Sequence, residues 1–383
     1  GCGQFLRFVY HSSLGLKDPK AALNWKVVNA ANAYRRDIDG LRALAVLPVL
    51  LFHAGVAGFD GGYVGVDIFF VISGFIMVYI TDSRGGGRTD IGRFIYSRVT
   101  RIYPLWWLFC LILILYYFLT TGRAVSPELA QEINHDGLYL LRSFLLIPQD
   151  AAPINGLGWT LIHEMYFYAV FALLLLLPQR ARYIGLWMWG AVTLLLFALG
   201  FADRHAANYL QLAASPLTLE FLAGAATAWL ILRGHIFAPK ICLALGLLSA
   251  AIALFIYTAP VEILMVWGRV AVYTLPFALM VYGAVALERA GTLSIPRPLK
   301  LLGDWSYSLY LSHLLVLGVI ARILPKFSER FALTQRGSLD NLIFIALGLT
   351  VPIIAAAIFY YGAERPMLKL TRCFASKVKR HSA

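Results

Sequence analysis

Uncharged apolar runs recur along the whole chain, separated by short stretches rich in glycine, proline and charge. About ten of them qualify as membrane-crossing helices: residues 41–58, 63–80, 102–120, 159–178, 183–201, 215–232, 241–258, 268–287, 305–323 and 341–361. Each approaches the roughly 20 residues needed to cross a ~30 Å hydrocarbon core. The Gly, Pro and charged clusters between them mark the turns. The second and fourth runs carry Asp67, Ser73, His163 and Glu164, so they are expected to be interior helices. The pattern predicts an all-α, polytopic membrane helix bundle. It shows no internal repeat of the kind many transporters display as inverted halves.

Composition agrees with this pattern. Of 383 residues, 60% are apolar and 14% charged, against about 25% charged in a soluble domain. The net charge of +13 sits between apolar runs, in alternate loops and at both ends, which argues against nucleic acid as a partner. With ten spans and cytoplasmic termini, most Lys and Arg residues fall on the cytoplasmic side, as the positive-inside rule requires. The external loop 324–340, with Lys326, Arg330 and Arg336, runs against it. The expected organisation is a basic cytoplasmic arm over 1–36, a transmembrane domain over 37–366 and a basic cytoplasmic tail over 367–383. The longest external loop, 121–158, is long enough to cover a site from the far side. Cys2, Cys110, Cys242 and Cys373 show no CxxC or Cys/His spacing. They read as free thiols, and no metal site is expected.

Ionisable residues inside a span are costly and by default functional. Arg42 and His53 share the stretch RALAVLPVLLFH. On a helix, eleven steps of about 100° leave them about 20° apart around the axis and ~16 Å apart along it. An imidazole at that depth can serve as a general base on an alcohol. Arg98 and Arg101, three apart, share a helix face, and guanidinium forks suit phosphate, whether of a soluble cofactor or of lipid headgroups. In GWTLIHEMYFY, Glu164 stands where a carboxylate could orient the His53 imidazole. Trp159 begins that run, and His163 reads as half of an external interfacial pair. Ser306, Tyr310 and His313 fall at i, i+4 and i+7 and suggest a lined cavity. Ser73 makes a small polar break in the aromatic second run, near Asp67. Glu364 and Pro366 read as a helix terminator with an ion pair. These residues alone admit an enzyme that uses a general base on an alcohol, or a permease.

Taken in order, these motifs resemble the membrane acyltransferase-3 family, the bacterial enzymes that O-acylate surface polysaccharides. The resemblance covers about Tyr34 to Pro366. It rests on the Arg-x10-His pair Arg42 and His53, on FFVISGF and on Arg98/Arg101 before Tyr103-Pro104. WTLxxE at Trp159–Glu164, SYSLYLxH and the late ERP complete it. It implies a multi-pass protein of the bacterial inner membrane, with acyl-CoA, most simply acetyl-CoA, as donor. The implied acceptor is a hydroxyl of a cell-surface or lipid-linked saccharide, and membrane lipids are the surroundings. His53 is the implied base, supported by Glu164. Arg42, Arg98 and Arg101, with Ser73 and Tyr310, are assigned to the donor. Asp67, Trp159, Ser306 and His313 are assigned to the substrate cavity. Some relatives carry a fused SGNH-type esterase domain; this chain is expected to be the stand-alone form.

Overall fold

A computed structural model describes residues 38–56, 58–82, 87–133, 136–203, 206–256, 263–330, 338–371 and 373. The arm expected over 1–36 and the tail beyond 373 lie outside the described residues. The architecture is helical, and no strand occurs among the described residues. The helices are α1 (38–53), α2 (Gly65–Thr81), α3 (Arg88–Thr121), α4 (Asp136–Leu145), α5 (Gly158–Leu174), α6 (Gln179–Ala198), α7 (Leu217–Leu232), α8 (Pro239–Ile256), α9 (Ile263–Arg289), α10 (Arg297–Arg330) and α11 (Ser338–Phe359).

Each apolar run contains a helix, but the boundaries move. Among the described residues, six helices are long and apolar enough to cross a membrane: Gly62–Thr81, Thr89–Thr121, Gln179–Ala198, Trp267–Arg289, Arg297–Ile323 and Ile345–Thr371. The chain is thus a multi-pass helical membrane protein. α7 and α8 supply shorter apolar helices, and α5 has 17 residues. α3 begins well before its apolar half, so Arg98 and Arg101 lie on one continuous helix, as their spacing predicts. The loop 121–158 is not featureless, since α4 folds within it. α10 runs on to Arg330, into the region expected as a loop from residue 324.

The helix after Pro366 is another difference. Pro366 does not terminate α11. A π-helical turn over Tyr360–Glu364 follows α11, and helix resumes from Arg365 to residue 371. Proline removes one backbone donor, and the wider π turn is one way a helix absorbs such a defect, often at a functional site. Here it brings Glu364, 1% exposed, into the bundle.

Glycine determines how closely α2 and α7 approach. A methyl group on Gly74 would stand 1.8 Å from the Phe221 carbonyl oxygen, and one on Gly224 would stand 1.9 Å from that of Val71. Both neighbours are backbone, so side-chain movement cannot relieve the clash. Gly74→Ala should therefore destabilise the bundle by about 1–3 kcal/mol, the usual cost of overpacking. A thermal melt in detergent checks this, and an unchanged melting temperature would refute the tight crossing. Gly65 does the same against α1, where an added methyl would lie 2.2 Å from the Ala45 carbonyl oxygen. These contacts place Ser73 of α2 beside the Arg42 end of α1.

Candidate active site

A cavity of about 130 Å³ lies among α1, α2, α3, α5 and α10. Its wall includes Arg42, Ser73, Arg98, Arg101, Glu164, Ser306 and Tyr310, together with Tyr168 and Tyr307. Seven residues singled out for their chemistry, scattered over some 270 positions of sequence, therefore meet around one space.

The basic end is held by ion pairs and aromatic faces. Arg42 pairs with Asp39 one turn earlier, at 3.9 Å. Arg101 Nη1 lies 3.3 Å from Glu364 Oε1, while Ser308 donates a 2.6 Å hydrogen bond to Glu364 Oε2. The ion pair expected of Glu364 is thus present, and it is buried, not at a helix end. The Arg98 guanidinium sits 5.9 Å from the Phe94 ring centroid and 5.8 Å from that of Tyr168. Rings can steady a guanidinium without occupying its donors.

Glu164 accepts hydrogen bonds from Ser73 Oγ (3.0 Å) and from the Tyr168 hydroxyl. The expected Glu164–His53 pair is therefore not formed in this structure: the carboxylate looks into the cavity instead. The Ser306 hydroxyl is wholly buried, with no hydrogen-bond partner among the described residues. The Tyr310 hydroxyl lies 2.8 Å from Thr160 Oγ1 and 3.2 Å from the Leu157 carbonyl oxygen. That cluster closes the far end.

His53 stands beyond this closure, as the last residue of α1. It does not line the cavity, and neither does His313. Instead, His313 Nε2 lies 3.3 Å from His53 Nδ1, and the rings are 4.9 Å apart. The protons can be placed from the partners. His313 Nδ1 faces the carbonyl oxygens of Leu309 (3.1 Å) and Tyr310 (2.8 Å), so it donates and leaves Nε2 as an acceptor. His53 Nδ1 faces the Val49 carbonyl oxygen at 2.8 Å, so it too carries the proton, shared with His313 Nε2. His53 Nε2 then keeps its lone pair, the state a general base needs.

Two other expected cavity residues are placed elsewhere. Asp67 is fully buried and lines neither cavity described here. Its Oδ1 accepts a 2.6 Å hydrogen bond from Arg269 Nη2 of α9, beside the equally buried Glu220 of α7. A carboxylate inside hydrocarbon needs a partner, and this pairing draws it away from the cavity. Arg269 and Glu220 were not singled out from the sequence, although each is an ionisable residue within or at the edge of an apolar run. The rule that exposes Arg42 and His53 would have found them. Trp159 lines a second cavity of about 190 Å³, formed with Gln149, Asp150, Gly156, Ile162 and His163. The first cavity and this one share no lining residue.

A helical membrane bundle that gathers three arginines, a carboxylate and several buried hydroxyls around one interior space has the make-up of a membrane group-transfer enzyme. Residues 35–361 match the family described as the acyltransferase domain. The chain belongs to this acyltransferase-3 family and is a membrane acyltransferase. It is 32% identical over 304 residues to the exopolysaccharide production protein ExoZ of Rhizobium meliloti (strain 1021), covering 71% of this chain and 83% of that protein. It is 28% identical over 155 residues to the O-acetyltransferase OatA of Staphylococcus aureus (strain NCTC 8325 / PS 47), covering 37% of this chain and 25% of that protein. No solved structure matches the chain.

Proposed function

We propose that the protein is an O-acyltransferase of the bacterial cytoplasmic membrane. It moves an acyl group, most simply acetyl, from cytoplasmic acyl-CoA to a hydroxyl of a cell-surface or lipid-linked saccharide. The observation that carries this reading is the arginine-lined cavity. Arg42, Arg98 and Arg101 converge from two helices on one mouth, and forked guanidinium donors suit the phosphates of CoA. That mouth faces the cytoplasm in the ten-span arrangement with internal termini. The names of ExoZ and OatA support a saccharide hydroxyl as acceptor.

In this reading the pantetheine arm follows the cavity past Ser73, Glu164 and Ser306 to Tyr310, and brings the thioester to the histidine pair. His53 Nε2 takes the proton from the acceptor hydroxyl as its oxygen attacks the thioester carbonyl. The carbon–sulfur bond breaks, and the CoA thiolate takes the proton back from the imidazolium. The charge on His53 is stabilised through Nδ1–H by the Val49 carbonyl oxygen and by His313 Nε2. His313 therefore fills the supporting role expected of Glu164. Glu164 is left to hold Ser73 and Tyr168 in the donor channel.

Purified protein in nanodiscs, given acetyl-labelled CoA and glycan extracted from the producing cell, should transfer label to saccharide. Mass spectrometry of surface glycans from cells lacking the protein should show the loss of one acyl increment. Label that is neither transferred to saccharide nor released from CoA would refute the reading. Arg98 supplies a narrower test, because it has no carboxylate partner among the described residues. Arg98→Gln should raise the KM for acyl-CoA about 10–100-fold, the effect of losing one charge-assisted hydrogen bond. The kcat should change little. An unchanged KM would remove Arg98 from donor binding.

A further inference from the structure

The second cavity has no part in donor binding, yet it is built as a polar binding site. Gln149 is 7% exposed. Its Nε2 donates to Ser143 Oγ at 3.1 Å, while its Oε1 is buried with no hydrogen-bond partner among the described residues, on a side chain that lines the cavity. An unmet buried acceptor is costly to a fold, so its persistence marks a place where a donor belongs. His163, 5% exposed, lines the same space. Its Nδ1 faces the Trp159 carbonyl oxygen at 2.9 Å and so carries the proton, which leaves Nε2 as a second acceptor. The exposed Asp150 carboxylate stands at the wall, and the Trp159 indole forms an apolar face. Three acceptors around an aromatic plate match a ring that bears hydroxyls on its edge and C–H bonds on its faces. The volume, about 190 Å³, equals about six waters at ~30 Å³ each and accommodates one pyranose ring.

The cavity is also joined to the histidine pair. Arg269 reaches both Trp159 (6.0 Å to the ring centroid) and Tyr63 (5.4 Å). Tyr63 packs on Phe52 at 5.6 Å, and Phe52 on His53 at 4.8 Å. We infer that the cavity formed by Gln149, Asp150, Trp159 and His163 is a saccharide subsite that seats one pyranose unit of the acceptor, with sugar hydroxyls donating to Gln149 Oε1 and His163 Nε2. This inference rests on the acyl-transfer reading for its purpose, but not for its binding chemistry.

The test is photolabelling of the full chain in nanodiscs with a diazirine-bearing glucoside. Label should map to residues 147–163 and be displaced by excess methyl glucoside. Gln149→Met, which keeps the shape and removes the amide, should lower labelling about tenfold. Gln149→Glu, which restores an acceptor oxygen, should retain it, and this separates recognition from misfolding. Label elsewhere, absent, or undiminished in Gln149→Met would overturn the proposal. A photoreactive acyl-CoA used in parallel reports on the first cavity. Its failure to label there would count against the acyl-transfer reading and leave the glucoside result to stand by itself.

Discussion

His53→Ala should lower the rate of acyl transfer by about 10²–10⁴, the usual contribution of a positioned general base. The loss should lie in kcat, with the KM for acyl-CoA nearly unchanged, because His53 lies outside the arginine-lined cavity. Folding should survive, since the side chain is half-buried and its hydrogen bonds are only those of Nδ1 with the Val49 carbonyl oxygen of its own helix and with His313. A melting curve close to wild type alongside the lost rate would establish this. His313→Ala should give a smaller loss, because it removes only the acceptor that steadies the imidazolium. Substantial activity in His53→Ala would remove the residue from the mechanism. Equal losses in kcat and in donor affinity would mean that the pair is part of the donor channel.

The second large effect concerns stability. Arg269→Met strips the partner from Asp67, whose side chain is fully buried. Breaking a buried pair in this way costs about 3–5 kcal/mol, because the remaining charge is left uncompensated. Little folded protein should be recovered, with early loss in a detergent melt. Adding Asp67→Leu should restore much of the stability, since a buried ion pair replaced by apolar side chains is often neutral. A single variant as stable as wild type would show that the pair contributes no net stability. Glu220 is fully buried beside them.

Much of this arrangement was legible in the chain. Polar residues are expensive within apolar runs, so Arg42, Ser73, Glu164, Ser306 and Tyr310 stood out individually, and the structure sets them around one space. The Arg42–His53 spacing was readable because both lie on one helix. The partner of His53 was not, since His313 is 260 residues away and only tertiary packing joins them. The partner of Asp67 was hidden for the same reason: a buried carboxylate faces whichever cation the fold brings, and Arg269 is 202 residues on. Helix ends were misread where polarity and helicity part company. The first half of α3 is charged yet helical, and the π turn carries α11 past a proline.

The cluster of Tyr310, Thr160 and the Leu157 carbonyl oxygen closes the arginine-lined cavity short of the histidines. On the proposed reading the enzyme takes one reactant from each side of the bilayer, and it then faces a hazard that a soluble enzyme does not. A path open at both ends would let protons and ions run down their gradients through it. The two cavities share no lining residue, and on that reading this is what keeps the resting membrane electrically sealed. On the same reading, only the slender acyl-bearing arm need part Tyr310 from Thr160, and its own bulk then fills the breach.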